Sequence, residues 1–121
     1  MRNKSTASVT IASGAALSNA VNLGDKVLCA LIVSATWTAA HFTFQVSDDQ
    51  GATWYDLLDD KFAEVDITAD GSAGGKRIAL DPSTFADVDF IKVRSGTSAT
   101  PVNQAGDRVI TLVARKFYAL D

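Results

Sequence analysis

The sequence is poor in the residues that do chemistry. Its 121 residues hold one cysteine, Cys29, and one histidine, His41. A lone cysteine excludes an intramolecular disulfide, and one Cys with one His cannot complete a structural zinc site. No Gly-x-Ser-x-Gly elbow is present to work with His41. Cys29 lies in the apolar run Val27–Val33, where a thiolate is disfavoured and the residue reads as a small buried hydrophobe. Long hydrophobic runs are missing too, since that run is far shorter than the ~20 residues a membrane span needs. After Met1-Arg2-Asn3-Lys4, the stretch 5–16 is broken by Ser, Thr and Gly and lacks the apolar core of a signal peptide. Basic runs are absent: 11 Lys+Arg stand against 14 Asp+Glu, for a formal net charge of -3. Only Arg2 with Lys4, Lys76 with Arg77, and Arg115 with Lys116 come close together. A phosphate backbone needs a basic patch, so nucleic acid is not the expected partner, and with no run long enough to span it, neither is a membrane.

What is present is the composition of one globular domain, 47% hydrophobic and 21% charged. A chain of this length buries roughly two-thirds of its unfolded surface and needs no staple. The hydrophobic period is two almost throughout. Phe42, Phe44 and Val46 alternate with Thr43, Gln45 and Ser47. Ala63, Val65 and Ile67 alternate with Glu64, Asp66 and Thr68, and Ile91 and Val93 with Lys92 and Arg94. Ile110, Leu112 and Ala114 face one way. Val109, Thr111 and Val113 are apolar enough to predict a last strand covered on both faces. Val27–Val33 reads as a central strand, Val9 to Ile11 as a first one, and 53–57 and 76–80 complete the set.

Turn signals separate the strands at Leu23-Gly24-Asp25, 48–51, 70–75, Asp81-Pro82 and 95–107. Pro82 to Asp87 predicts one helical turn with Phe85 inward, and 15–21 predicts a loop. About eight short strands, spaced roughly every ten to fourteen residues, predict an all-β fold. The expected form is an antiparallel β-sandwich, jelly-roll-like, with residues 1–12 as an extended N-terminal arm or first strand and 13–121 as a single sandwich domain. The arm's extended Ser5–Ala12 stretch suits addition to a neighbour's sheet edge. The loop 95–107, rich in hydroxyls and amides, is either a contact loop or an ordinary long crossover.

The carboxylates Asp48, Asp49, Asp56, Asp59 and Asp60 flank Trp54 and Tyr55. Paired acids beside aromatics open glycoside chemistry or calcium binding, but Asp-Asp-x-Gly reads first as a turn. No catalytic, cofactor-binding or metal-binding residue is assigned. Trp37, Trp54, Tyr55 and His41 are the candidates for a carbohydrate-binding surface. The tryptophans read first as buried.

Ser47-Asp48-Asp49-Gln50-Gly51-Ala52-Thr53-Trp54 fits Ser-x-Asp-x-Gly-x-Thr-Trp and resembles the Asp-box hairpin of sialidases and many other β proteins. The resemblance implies a local hairpin in which the Asp accepts backbone N–H bonds, the Gly permits the bend and the Trp packs back. It does not imply sialidase activity, because sialidases carry several copies.

A wider likeness spans Trp37 to Arg115. It rests on Trp37-Thr38-Ala39-Ala40, Phe42-Thr43-Phe44-Gln45-Val46-Ser47, Leu80-Asp81-Pro82 with Phe85, and Phe90-Ile91-Lys92-Val93-Arg94-Ser95-Gly96-Thr97. Pro101-Val102-Asn103-Gln104 and Thr111-Leu112-Val113-Ala114-Arg115 close it. Together these segments look like small proteins common in tailed-phage and prophage structural-gene regions. The resemblance implies a virion component: a capsid decoration or cement protein, a head-spike base, or a neck or tail accessory protein. It implies no enzyme and no cofactor. The expected partners are the major capsid protein or other virion proteins, and the expected state is a homo-oligomer, trimer or pentamer, assembled in the host cytoplasm. A carbohydrate-binding or host-attachment module of a tail or neck is the alternative.

Overall fold

The computed structural model describes residues 4–117. The eight strands are β1 (Lys4–Ile11), β2 (Val21–Asn22), β3 (Val27–Val33), β4 (Phe42–Ser47), β5 (Tyr55–Asp56), β6 (Arg77–Ala79), β7 (Phe90–Ser95) and β8 (Arg108–Arg115). They form two four-stranded sheets, sheet A in the order β1-β8-β3-β6 and sheet B in the order β2-β7-β4-β5. The pairing is nested and antiparallel: β1 with β8, β2 with β7, β3 with β6, β4 with β5. A long hairpin rolled up in this way is a jelly roll, which separates the fold from an immunoglobulin-like sandwich.

Alternation fills the space between the sheets. Val9, Ile11, Leu28, Leu31, Ile110 and Leu112 project from sheet A, and Phe42, Phe44, Ile91 and Val93 from sheet B, all essentially without solvent contact. Asp81 caps the short 3-10 turn Pro82–Phe85 by accepting from Ser83 N–H, with Pro at its start. That cap aims Phe85 inward, where its ring meets Phe44 edge-on at 5.2 Å. Burying such a ring is worth about 1.5–3 kcal/mol. Trp37 stacks on Phe42 at 4.5 Å, and its indole N–H donates to the Ala40 carbonyl at 3.0 Å.

Several expectations need correction. Residues 4–11 take the first-strand role rather than that of a free arm. Their full length pairs with β8, from Lys4 opposite Arg115 to Ile11 opposite Arg108. Residues 1–3 of the expected arm lie outside the described residues, as do 118–121. The 63–67 run is not a strand, because it divides between two partners: Glu64 bridges Leu58, while Ile67 bridges Phe42. Cys29 is only half-buried. The β3–β8 register shifts between Leu28 and Ala30, so Cys29 falls in a bulge, its thiol donating to the Val27 carbonyl. The outer face of β8 is not fully covered, since Val109 is exposed and Thr111 half-buried. Residues 95–107 cross from sheet B to sheet A, held by one buried amide. The buried Gln104 side chain accepts from Thr38 N–H at 2.8 Å and donates to the Thr38 carbonyl and the Ser95 hydroxyl. Ser98, Thr100 and Asn103 remain exposed on the same crossover.

Candidate functional site

The β4–β5 connection is built from the side chains its sequence supplies. The Asp49 carboxylate accepts from Thr53 N–H at 2.7 Å and from the Ser47 hydroxyl at 2.8 Å. The Ser47 hydroxyl in turn accepts from Gly51 N–H at 2.9 Å. Gly51 has φ +90°, a conformation that favours glycine, and lies under the Trp54 ring. Lys92 covers that ring at 4.4 Å. Hydrogen bonds from Thr53, side chain and backbone, and from Ser47 hold the Asp49 carboxyl down at about 2.

Beyond β5 the chain is clamped from an unexpected direction. The Arg94 side chain, 6% exposed, reaches Asp56 at 2.5 Å and Glu64 at 3.1 Å. Glu64 also accepts from Ser98 N–H. One guanidinium on β7 therefore ties β5, the segment around Glu64 and the tip of the 95–107 crossover across the outer side of sheet B. A groove of about 510 Å³ runs beside it, lined in part by Leu17, Gln45, Arg94, Ser98 and Pro101.

Between the two clamped ends lies a tight turn. Asp59 accepts from the N–H groups of Lys61 and Ala63, and its own N–H meets the Ala63 carbonyl at 2.8 Å. The N–H bonds, Ala63 first, hold the Asp59 carboxyl below its ordinary range. At the tip stands Phe62, 87% exposed and with φ +64°. A bulky L-residue in the left-handed region is an outlier costing on the order of 1–2 kcal/mol. The same stretch exposes Tyr55 and Leu58, while Ile32 and Val109 are exposed on the outer face of sheet A.

The carbohydrate candidates are not brought together. Trp37 is in the core at 4% exposure, Trp54 is packed in its hairpin, and His41 Nδ1 lies 2.8 Å from Asp66. Tyr55, at 57%, is the exposed aromatic of the set. The acids likewise have separate tasks: Asp49 and Asp59 hold turns and Asp56 holds Arg94. No group of three or more His, Cys, Asp or Glu placed to hold a metal occurs among the described residues. None of the helices described is long and apolar enough to cross a membrane. Arg94 and Phe62 were missed by sequence reasoning. Arg94 alternates with core residues as a surface strand position does, and Phe62 reads as one more apolar residue ahead of the 63–67 run.

No protein family and no curated protein matches this sequence. At the level of structure, the chain is similar to a solved protein described as "Crystal structure of SPBc2 prophage-derived protein YomS". The TM-score is 0.53 at 13% identity, covering 95% of this chain and 96% of that one. At that identity the likeness is one of fold: this chain shares, over nearly its whole length, the all-β architecture of a prophage-derived protein.

Proposed function

We propose that this chain is a non-enzymatic structural component of a bacteriophage virion that works through protein–protein contacts. The observation that carries the reading is the turn at residues 59–63. It keeps a large apolar side chain in water, in an unfavourable backbone conformation, on a base clamped at both ends by Asp59 and Arg94. Such preorganised apolar anchors suit docking, because little ordering remains when a partner arrives. The fold shared with a prophage-derived protein and the sequence likeness to phage structural-region proteins support the same reading. A capsid decoration or cement protein, or a head-spike base, is the favoured position, with the major capsid protein or other virion proteins, further copies of this chain included, as partners.

The test is rebinding. Purified protein is mixed with phage particles stripped of accessory proteins and then sedimented. Saturable co-sedimentation, weakened by Phe62→Ser, supports the proposal, and no binding to heads, necks or tails refutes it. The groove beside Arg94 favours one second reading, a glycan-binding attachment module, in which Gln45 and Ser98 would meet sugar hydroxyls. Binding on a glycan array that is lost in Gln45→Ala would establish it.

A further inference from the structure

The molecule is electrically lopsided in a way its net charge hides. Eight of its 14 Asp and Glu fall within residues 48–70, against one base there, Lys61. Arg94 and Lys92 fold against this region and leave it acidic. The four strands of sheet A contain no Asp or Glu at all. The register sets Thr10 beside Val109, and Ser8 beside Thr111, Ile32 and Arg77, on the outer face. The middle of that face is therefore uncharged, with Ile32 and Val109 exposed. Its rim carries Lys4, Arg77 and Arg115.

We infer that copies of this chain dock head to tail, the acidic 48–70 connection of one, led by Phe62, seating on the outer face of sheet A of the next. The inference rests on the virion reading and names a partner for it. Each surface supplies what the other lacks. Phe62 and Leu58 meet an uncharged face containing Ile32 and Val109, while the surrounding acids meet the basic rim. The base of the acidic connection meets the outer side of sheet B through the Glu64–Arg94 pair, and its tip lines a cleft with Asp81, Ser83 and Thr84, so it is a different surface from the outer face of sheet A. A contact between unlike surfaces is heterologous. It generates a ring where the rotation closes and a filament where it does not. Opposite charge guides the approach and fixes the register.

The experiment is light scattering of the purified chain over a concentration series, for wild type, Phe62→Gly and Ile32→Glu. Neither side chain lies in the core, so each variant should retain the wild-type circular dichroism spectrum. Phe62→Gly should melt no lower than wild type, because glycine accepts its φ. Wild type is expected to grow in mass with concentration, and each variant to remain monomeric. Each variant keeps one intact surface, so an equimolar mixture is expected to stop at two copies. A wild type that is monomeric at every concentration overturns the inference, as does assembly unchanged in either variant, or a mixture that stays monomeric. A monomeric wild type that still co-sediments with stripped capsids would sink only this inference and leave the virion reading standing.

Discussion

Among single residues, the interior hydrophobes were legible and the buried polar groups were not. Phe42, Phe44, Ile91 and Val93 announce themselves by alternation, and Phe85 by its spacing after Asp81-Pro82. Arg94 and Gln104 are invisible in the same reading, because what buries them comes from thirty or more positions away: Glu64 and Asp56 for Arg94, Thr38 for Gln104. Arg94→Leu is expected to leave Glu64, only 17% exposed, without its counter-charge. The cost should be about 3 kcal/mol, the low end for a broken buried pair because Asp56 is well solvated. A lowered urea midpoint checks this, with Glu64→Gln in the same chain recovering part of the loss. Asp49 gives a pH prediction. Its carboxyl titrates at about 2 when folded and near 3.8 when unfolded. As pH falls, the unfolded chain takes up the proton first, so the contribution is complete above about pH 4 and fades as pH drops through about 2. Melts across that window should show a shallower acid decline for Asp49→Asn than for wild type.

Among elements, strand existence followed from period and strand partners did not. The alternation over 63–67 is as clear as that over 42–47, yet only the latter became a strand. Phe42–Ser47 has β7 along its whole length, whereas 63–67 meets two different neighbours for one bridge each. The reverse holds for β1, whose Lys4 to Ala7 half is too polar to claim as strand without β8 beside it. A truncation starting at residue 13 would remove the ladder to β8 and two side chains with no solvent contact, Val9 and Ile11. Each is worth about 1.5–3 kcal/mol, a large fraction of the 5–15 kcal/mol by which domains are typically stable. The truncated chain should lose the dispersed amide spectrum of a folded domain. A native-like spectrum would mean that β1 is dispensable.

For the molecule as a whole, the sandwich class was legible from eight short strands and their punctuation. A jelly-roll-like form was expected as well, but the strand order itself was not legible, because nothing local in β3 tells it to lie between β8 and β6. The cluster of acids over 48–70 stands in the sequence, whereas the acid-free face of sheet A is assembled from strands far apart in the chain and emerged only with the fold. Head-to-tail contact between an acidic connection and a basic rim is screened by salt. Raising ionic strength from about 0.05 to 0.5 M should therefore lower the scattering mass at fixed concentration, while Phe62 retains residual attraction. A mass insensitive to salt would leave the apolar contact as the whole of the attraction.

The nested strand order also governs how the protein comes into being on the ribosome. β4 and β5 are separated by one turn and can close early, but Lys4 waits for Arg115. Because β8 lies between β1 and β3, neither of those early-made strands has its central partner until β8 has emerged. Sheet A is thus completed only after translation of nearly all of the described chain, and pairings so distant in sequence form slowly. Until then β1 and β3 present unpaired edges, the state in which strands seek foreign partners. Nascent chains accumulating beside one another would be most exposed to mispairing in that interval, before the final strand closes the roll.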